Sequence, residues 1–192
     1  TGFYRFSFPD VKGKAILFGV YNGGKSSFDF LSATEISGME TYRGDIKTYM
    51  YGVFSVPGTP GVVTKDKLLP ERSIEGEAVK AYISFPASTR EVEFKYAISY
   101  LSPEQAKRNY EKELSNSNFQ SVLDAGKIAW SKVMSQIKVE GGTEGQKRSF
   151  YTALYRCYER MVDISEDSSY YSGFDKKIHK DKSKKTLRME GK

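Results

Sequence analysis

Residues 90–105 read REVEFKYAISYLSPEQ, and the pattern changes within this stretch in a way that decides the fold. Apolar and charged residues alternate up to Ile98, which is typical of a strand with one buried face. The SPEQ segment at 102–105 then offers a serine that can cap a helix, a proline suited to the first helical position and a glutamine that can complete a capping box. The sequence therefore predicts strands before Leu101 and helices after it.

Short strand-like segments fill residues 1–100. The segments at 77–85 and 90–98 alternate between two faces, and turns that contain glycine or proline separate such segments. Alternation over many short segments indicates an antiparallel β-sandwich. A hairpin is expected from 27 to 44, with Ser37-Gly38 as its turn.

Three amphipathic helices are expected after this sheet region. They are placed at about 103–114, at about 119–137 and from a second capping box at 143–146 onward. Cys157 lies on the apolar face of the third helix. Its thiol is therefore expected to be buried as a small hydrophobic group and not to act as a nucleophile.

The positive charge of the chain is confined to one end. The net charge is +6, and residues 176–192 hold the whole excess of basic over acidic side chains. Because the remainder is neutral, the charge pattern argues against a nucleic-acid partner, although a nucleic-acid binder that depends on this tail stays open. We expect 176–192 to be a basic, disordered tail, preceded by a loop or short hairpin at 165–173.

A single cysteine and a single histidine limit the possible chemistry. Cys157 alone excludes a disulfide within the chain and a cysteine-based zinc site. A Ser-His-Asp catalytic triad or a Cys-His catalytic dyad would need His179, which lies in the lysine-rich segment. No stretch approaches the roughly 20 apolar residues of a membrane span, so none is expected.

Several short motifs, taken in order, resemble glycoside hydrolase family 92, the calcium-dependent α-mannosidases. The motif FYTALY at 150–155 is the most specific of them. The others are GFYRFSFP at 2–9, ISY and SPEQA between 98 and 106, the helix from Ala125 to Trp130, and YSGFD with IH between 171 and 179. The resemblance covers residues 1 to about 180, and the tail from Ser183 to Lys192 departs from the family pattern.

The resemblance implies a β + α multidomain architecture and a division of the chain. We expect part of an antiparallel β-sandwich domain at 1–101, a helical linker at 102–142 and the start of a catalytic (α/α)6 barrel at 143–175, followed by the tail. The family places its active site between the sandwich and the barrel. The chain is accordingly expected to be an internal fragment, inactive alone, of a secreted, periplasmic or cell-surface enzyme.

The family's chemistry removes α-linked mannose from glycans with inversion and uses bound Ca2+. Inversion needs one carboxylic acid to protonate the leaving oxygen and one carboxylate to activate water, roughly 6.5–9.5 Å apart. In the family these acids follow the FYTALY helix and fall beyond Lys192, so no catalytic residue is expected within this chain. Ca2+ is expected in the parent enzyme and not in this piece, and mannose-containing glycans are the expected partners.

The candidate substrate-binding residues are Tyr170, Tyr171 and Asp175, because aromatic rings suit a pyranose face and a carboxylate can accept sugar hydroxyls. Glu166-Asp167 lies beside them, either as a site pair or as solvated loop acids. Trp130 can stack on a sugar or pack on the helical stripe.

No metal site is assigned, since the remaining possible cation ligands lack the alternation of an EF-hand loop; they are Asn22, Asp29 and Asp45. The tyrosine-rich strands leave a second function open, that of a non-catalytic carbohydrate-binding or scaffolding sandwich.

Overall fold

The structure, a computed structural model, describes residues 1–10, 12–42, 45–65, 67–158, 161–181 and 188–190. The helices are α1 Pro103–Glu113, α2 Phe119–Met134 and α3 Glu144–Cys157. The strands are β1 Gly2–Ser7, β2 Lys14–Gly19, β3 Lys25–Phe30, β4 Glu35–Tyr42, β5 Ile46–Phe54, β6 Thr59–Thr64, β7 Lys67–Leu69, β8 Ser73–Glu77, β9 Lys80–Phe85, β10 Glu91–Ser99, β11 Met161–Asp163, β12 Ser169–Ser172, β13 Lys177–Lys180 and β14 Arg188–Glu190.

Two antiparallel sheets pack face to face. The large sheet has the strand order β1-β10-β5-β4-β3-β8, and the small sheet has the order β2-β9-β6-β7. Alternate residues of each strand point into the space between them, because successive side chains of a strand face opposite sides. The core is formed by Ile16, Phe28, Phe30, Ile36, Phe54, Val79, Ala81, Ile83, Phe85, Val92 and Phe94. The predicted antiparallel sandwich followed by helices is confirmed.

Helix α1 covers the opposite face of the large sheet. Tyr51 of β5 is buried there, and its ring centroid lies 5.3 Å from that of Tyr110. Ala106 of the helix and Leu114, which caps its C-terminal end, are buried as well. The hydroxyl of Ser102 accepts the backbone N–H of Gln105 at 3.1 Å, so the predicted cap is confirmed. Helix α1 therefore forms a third layer on the sandwich, next to β10, the strand that precedes it in the chain.

Lys95 of β10 fixes the other end of α1. Its ammonium group donates to the carbonyls of Leu114 at 3.2 Å and Ser117 at 2.6 Å. A cation at this end is favourable because helix carbonyls without a helical partner point outward there. We expect Lys95→Met to lower the free energy of unfolding by about 1–2 kcal/mol. Urea denaturation checks this value, and Lys80→Met, at an exposed lysine of the small sheet, should leave stability nearly unchanged.

The expected hairpin turn at Ser37-Gly38 is wrong. Both residues lie inside β4, and the connection from β3 to β4 runs through residues 31–34. A Cβ atom on Gly38 would lie 3.0 Å from the Phe28 ring on the neighbouring strand. The glycine therefore admits a core phenylalanine, and its local turn preference is overridden by packing.

Two expectations about the helices and the tail also need correction. Cys157 is exposed, so the expectation that its thiol is buried is wrong: neither α2 nor α3 has a buried residue, and the apolar face of α3 is not covered by the described residues. Residues 177–180 are not disordered, since they form β13 and pair with β12. Residues 188–190 form β14 and pair with β11, whereas 182–187 and 191–192 lie outside the described residues.

The capping box at the start of α3 is confirmed, since Thr143 and Gln146 each accept a backbone N–H from the other. Within the described ranges, the helices are too short or too polar to cross a bilayer. The division into three domains and a tail stays a prediction.

Candidate functional site

Strands β12 and β13 form a hairpin after the last helix. Tyr170 stands opposite His179, and Tyr171 stands opposite Ile178. The rings of Tyr170 and His179 stack with centroids 5.5 Å apart. Because neighbouring residues of a strand face opposite sides, Tyr170 and Tyr171 cannot serve the same surface.

Asp175 lies in the turn of this hairpin and holds it together. Its carboxylate is 2.8 Å from Nε2 of His179 and accepts the backbone N–H of Lys177 at 3.3 Å. Burial acts to raise the pKa of Asp175, but hydrogen bonds from Ser172 and His179 outweigh it and lower the pKa below its ordinary value. The carboxylate is therefore engaged within the hairpin.

One ion pair fastens the hairpin to the large sheet. The ammonium group of Lys176 lies 2.9 Å from Oδ2 of Asp45, just before β5. Its hydrogen bond and charge lower the pKa of Asp45 and raise that of Lys176. Both partners have positive φ angles, 73° and 57°, so the pair joins two tight turns.

A cleft of about 470 Å³ lies where this hairpin meets the sandwich, and we call it the junction cleft. Three parts of the chain line it: the start of β5, the link between β10 and α1, and the hairpin. Of the three predicted substrate-binding residues, Tyr171 faces the cleft, while Tyr170 and Asp175 are not part of its wall. The lining residues are Asp45, Lys47, Tyr49, Tyr100, Leu101, Tyr171, Lys176, Lys177 and Ile178.

Tyr100 connects the cleft wall to the body of the protein. Its side chain is half-buried, and burial, together with the nearby Tyr42 and Glu166, raises the pKa of its hydroxyl. Its backbone N–H donates to Oε1 of Glu166 at 2.8 Å.

Glu166 and Asp167 form what we call the acidic clamp. The second carboxylate oxygen of Glu166 accepts from the side chain of Asn109 at 2.7 Å. Asp167 accepts from Gln105 at 2.7 Å and from Lys112 at 3.3 Å, and both hydrogen bonds lower its pKa. The clamp joins the segment before the hairpin to α1, so neither acid is a free site carboxylate.

The turn within the clamp has mirror-image backbone geometry. Asp167 and Ser168 have φ angles of 47° and 62°, and Glu166 and Ser169 exchange backbone hydrogen bonds of 2.7 and 2.9 Å. Two successive positive φ angles are the mark of a type I′ turn, which suits a tight reversal between strands. The sequence could have indicated this turn, because Asp and Ser occur often in turns. It could not indicate that the two acids bind side chains of α1.

The possible cation ligands do not come together. The side-chain amide of Asn22 donates to Glu40 at 3.0 Å, Asp45 pairs with Lys176, and Asp29 lies on a separate strand. Among the residues that the structure describes, no group of three or more His, Cys, Asp or Glu side chains could hold a metal ion.

Trp130 packs on the helix that carries the FYTALY motif. Its ring centroid lies 4.5 Å from that of Tyr155, and its side chain also borders an apolar groove with Phe3 and Phe119. Its neighbours agree with the packing interpretation, and Trp130 is not among the residues that line the junction cleft.

Two family descriptions match consecutive parts of the chain. "Glycosyl hydrolase family 92 N-terminal domain" matches residues 1–99, and "Glycosyl hydrolase family 92 catalytic domain" matches residues 105–189. No curated protein sequence matches the chain. The junction cleft takes its walls from both matched parts and from the link between them.

Solved structures show the same fold. The family GH92 inverting mannosidase BT2199 from Bacteroides thetaiotaomicron has 26% identity and a TM-score of 0.80, with 93% of this chain and 26% of that chain covered. The family GH92 α-mannosidase BT3965 from the same organism has 23% identity, a TM-score of 0.81 and the same coverage, and is also known in complex with mannoimidazole. The chain thus spans about a quarter of the length of these structures.

Proposed function

Because the chain belongs to glycosyl hydrolase family 92, as its ordered motifs predict, we propose that it forms part of an enzyme that removes α-linked mannose from glycans with inversion. One observation carries the proposal: the junction cleft lies where the two matched parts of the chain meet. A cleft between two domains is a common place for a ligand site. The inverting mannosidase and the mannoimidazole complex among the similar structures support the substrate class.

The acid and the base of such a reaction lie outside the described residues under this proposal. An inverting glycosidase needs two free carboxyl groups on opposite sides of the sugar. Glu166, Asp167 and Asp175 each bind neighbouring groups of this chain. We therefore assign them to the architecture of the cleft and not to proton transfer.

The described residues contribute to substrate binding through the junction cleft. Tyr171 is the residue that contacts the glycan, and Tyr170 and Asp175 hold the hairpin that presents it. Ca2+ belongs to the parent enzyme under this proposal, and we expect its ligands outside this piece of the chain. A secreted, periplasmic or cell-surface location agrees with a glycan substrate.

The test compares the 192-residue chain with the gene product that contains it. We expect the longer protein to hydrolyse an aryl α-mannoside and to release β-mannose first, detected by NMR of the anomeric proton. The chain alone should show no hydrolysis, because the proposal places the acid and the base outside it. Saturable glycan binding by the longer protein without turnover would instead support the carbohydrate-binding module.

Replacing Tyr171 by alanine in the longer protein should lower kcat/KM about tenfold, since loss of an aromatic contact worth about 1.4 kcal/mol has this effect. Tyr21→Ala is the matched control, because Tyr21 is 98% exposed in a turn of the sandwich, outside the cleft. Equal losses for the two variants would remove Tyr171 from the binding site.

A further inference from the structure

The link between β2 and β3 contains an asparagine that is followed by a glycine. Tyr21, Asn22 and Gly23 are all exposed, and the link carries the chain from the small sheet to the large sheet. Asparagine is one of the thermally labile residue types, because its side-chain amide can react with the backbone nitrogen of the next residue. A glycine in that position has no Cβ atom to hinder the reaction.

The backbone nitrogen of Gly23 is open to this reaction. Gly23 has a φ angle of 66°, and apart from its chain neighbours a Cβ atom built on it would meet nothing within 4 Å. Within the described ranges, its N–H donates to no backbone carbonyl. The nitrogen is therefore accessible to a base from solvent and is not held by a backbone hydrogen bond.

The other three asparagines of the chain are held more firmly. Asn109 lies inside α1, and the residue after Asn116 donates its N–H to a backbone carbonyl at 3.1 Å. The side chain of Asn118 caps α2 and accepts a backbone N–H at 2.8 Å. Asn22 is thus the asparagine that combines exposure, a following glycine and a backbone nitrogen without a backbone acceptor.

We propose that Asn22 is a site of spontaneous deamidation, with water as the co-reactant. The backbone nitrogen of Gly23 gives its proton to a base from solvent and bonds to Cγ of Asn22. The bond from Cγ to Nδ2 breaks, and this nitrogen takes up a proton and leaves as ammonia. Water then opens the cyclic imide at either carbonyl, which leaves aspartate or isoaspartate with no oxidation or reduction.

Deamidation removes a contact that ties the link to β4. The side-chain amide of Asn22 donates to Oε1 of Glu40 at 3.0 Å, whereas a carboxylate in its place has no proton to donate and repels Glu40. Isoaspartate also adds a further atom to the main chain. A Cβ atom on Gly24 would lie 2.8 Å from the carbonyl oxygen of Thr41, so the link has little room beside β4 for the added length. Both products should therefore release the link from β4.

The test is ageing of the 192-residue chain at body temperature and mildly alkaline pH, with its fold checked by circular dichroism. Trypsin then separates Asn22, in the peptide 15–25, from the other asparagines, in 109–112 and 113–127. By mass spectrometry, 15–25 should convert from amide to acid at least tenfold faster than the other two peptides. The rate should rise with pH, because the attacking nitrogen must lose a proton. Equal rates in the three peptides, or no conversion in 15–25, would overturn the proposal.

Two variants separate the reaction from its consequence. Asn22→Gln keeps an amide for Glu40 but has to close a larger ring, so its conversion should be at least tenfold slower, and conversion at the original rate would contradict the mechanism. Asn22→Asp reproduces one product, and backbone amides at the start of β3 should exchange hydrogen faster in it.

Asn116→Asp is the matched control for the added charge, because Asn116 is exposed in the connection between α1 and α2. Adding Glu40→Gln to Asn22→Asp restores a donor at this contact, so exchange at the start of β3 should slow again. Unchanged exchange in Asn22→Asp, or the same increase in Asn116→Asp, would overturn the release of the link from β4.

Discussion

Replacing Phe94 by alanine should lower the free energy of unfolding by about 3–5 kcal/mol, the largest effect we expect from a single change. The Phe94 side chain is 4% exposed at the centre of the sandwich core. Its ring stacks on Phe54 at 4.6 Å and meets Phe18 of the small sheet at 5.4 Å. Alanine would remove both contacts and leave a cavity that the two sheets cannot close without moving together.

Urea denaturation followed by far-UV circular dichroism measures this loss. Phe174→Ala is the matched control, since the same atoms are removed from a side chain that is fully exposed in the hairpin turn. Surface substitutions of this kind change stability by about 0.5 kcal/mol or less. Similar losses for the two variants would mean that Phe94 is not in a packed core.

Glu166→Ala should be the second most destabilising change, lowering the free energy of unfolding by about 2–3 kcal/mol. The carboxylate accepts the backbone N–H of Tyr100 and the side-chain amide of Asn109, at 2.8 and 2.7 Å. Hydrogen bonds to a charged group contribute more than neutral ones, and their loss leaves partly buried donors unpaired. The hairpin should then detach from α1 while the sandwich stays folded.

Hydrogen exchange at the Tyr100 amide reports this detachment directly. In Glu166→Ala the amide should exchange faster, whereas amides inside β10 should keep their protection. Glu111→Ala, at an exposed acid of α1, serves as the control for loss of a negative charge. Unchanged protection of the Tyr100 amide in Glu166→Ala would show that the acidic clamp does not hold the link between β10 and α1.

The parts of the fold that follow from local physics could be predicted from the sequence. The alternation in β10 and the cap at Ser102 depend on neighbouring residues only, so the change from strand to helix was placed correctly. Gln105 is a residue whose contact could not be predicted from its neighbours in sequence. It was expected to complete the capping box, but its side chain binds Asp167, 62 positions away.

The site was harder to predict because its contacts join distant segments. The pair of Asp45 with Lys176 spans 131 positions, and spacing along the chain does not reveal it. Tyr171 was selected for its residue type, and the structure places it in the cleft wall, whereas Tyr170 stacks on His179 on the other side of the hairpin. Its role in binding the glycan stays a prediction.

Strand β1 affects how the chain behaves at high concentration. Among the described strands it lies at the outer edge of the large sheet, with β10 on one side only. Its six residues, GFYRFS, include three aromatic side chains and no proline. An edge of this kind offers backbone donors and acceptors to another molecule, so we expect self-association of the concentrated protein to begin there.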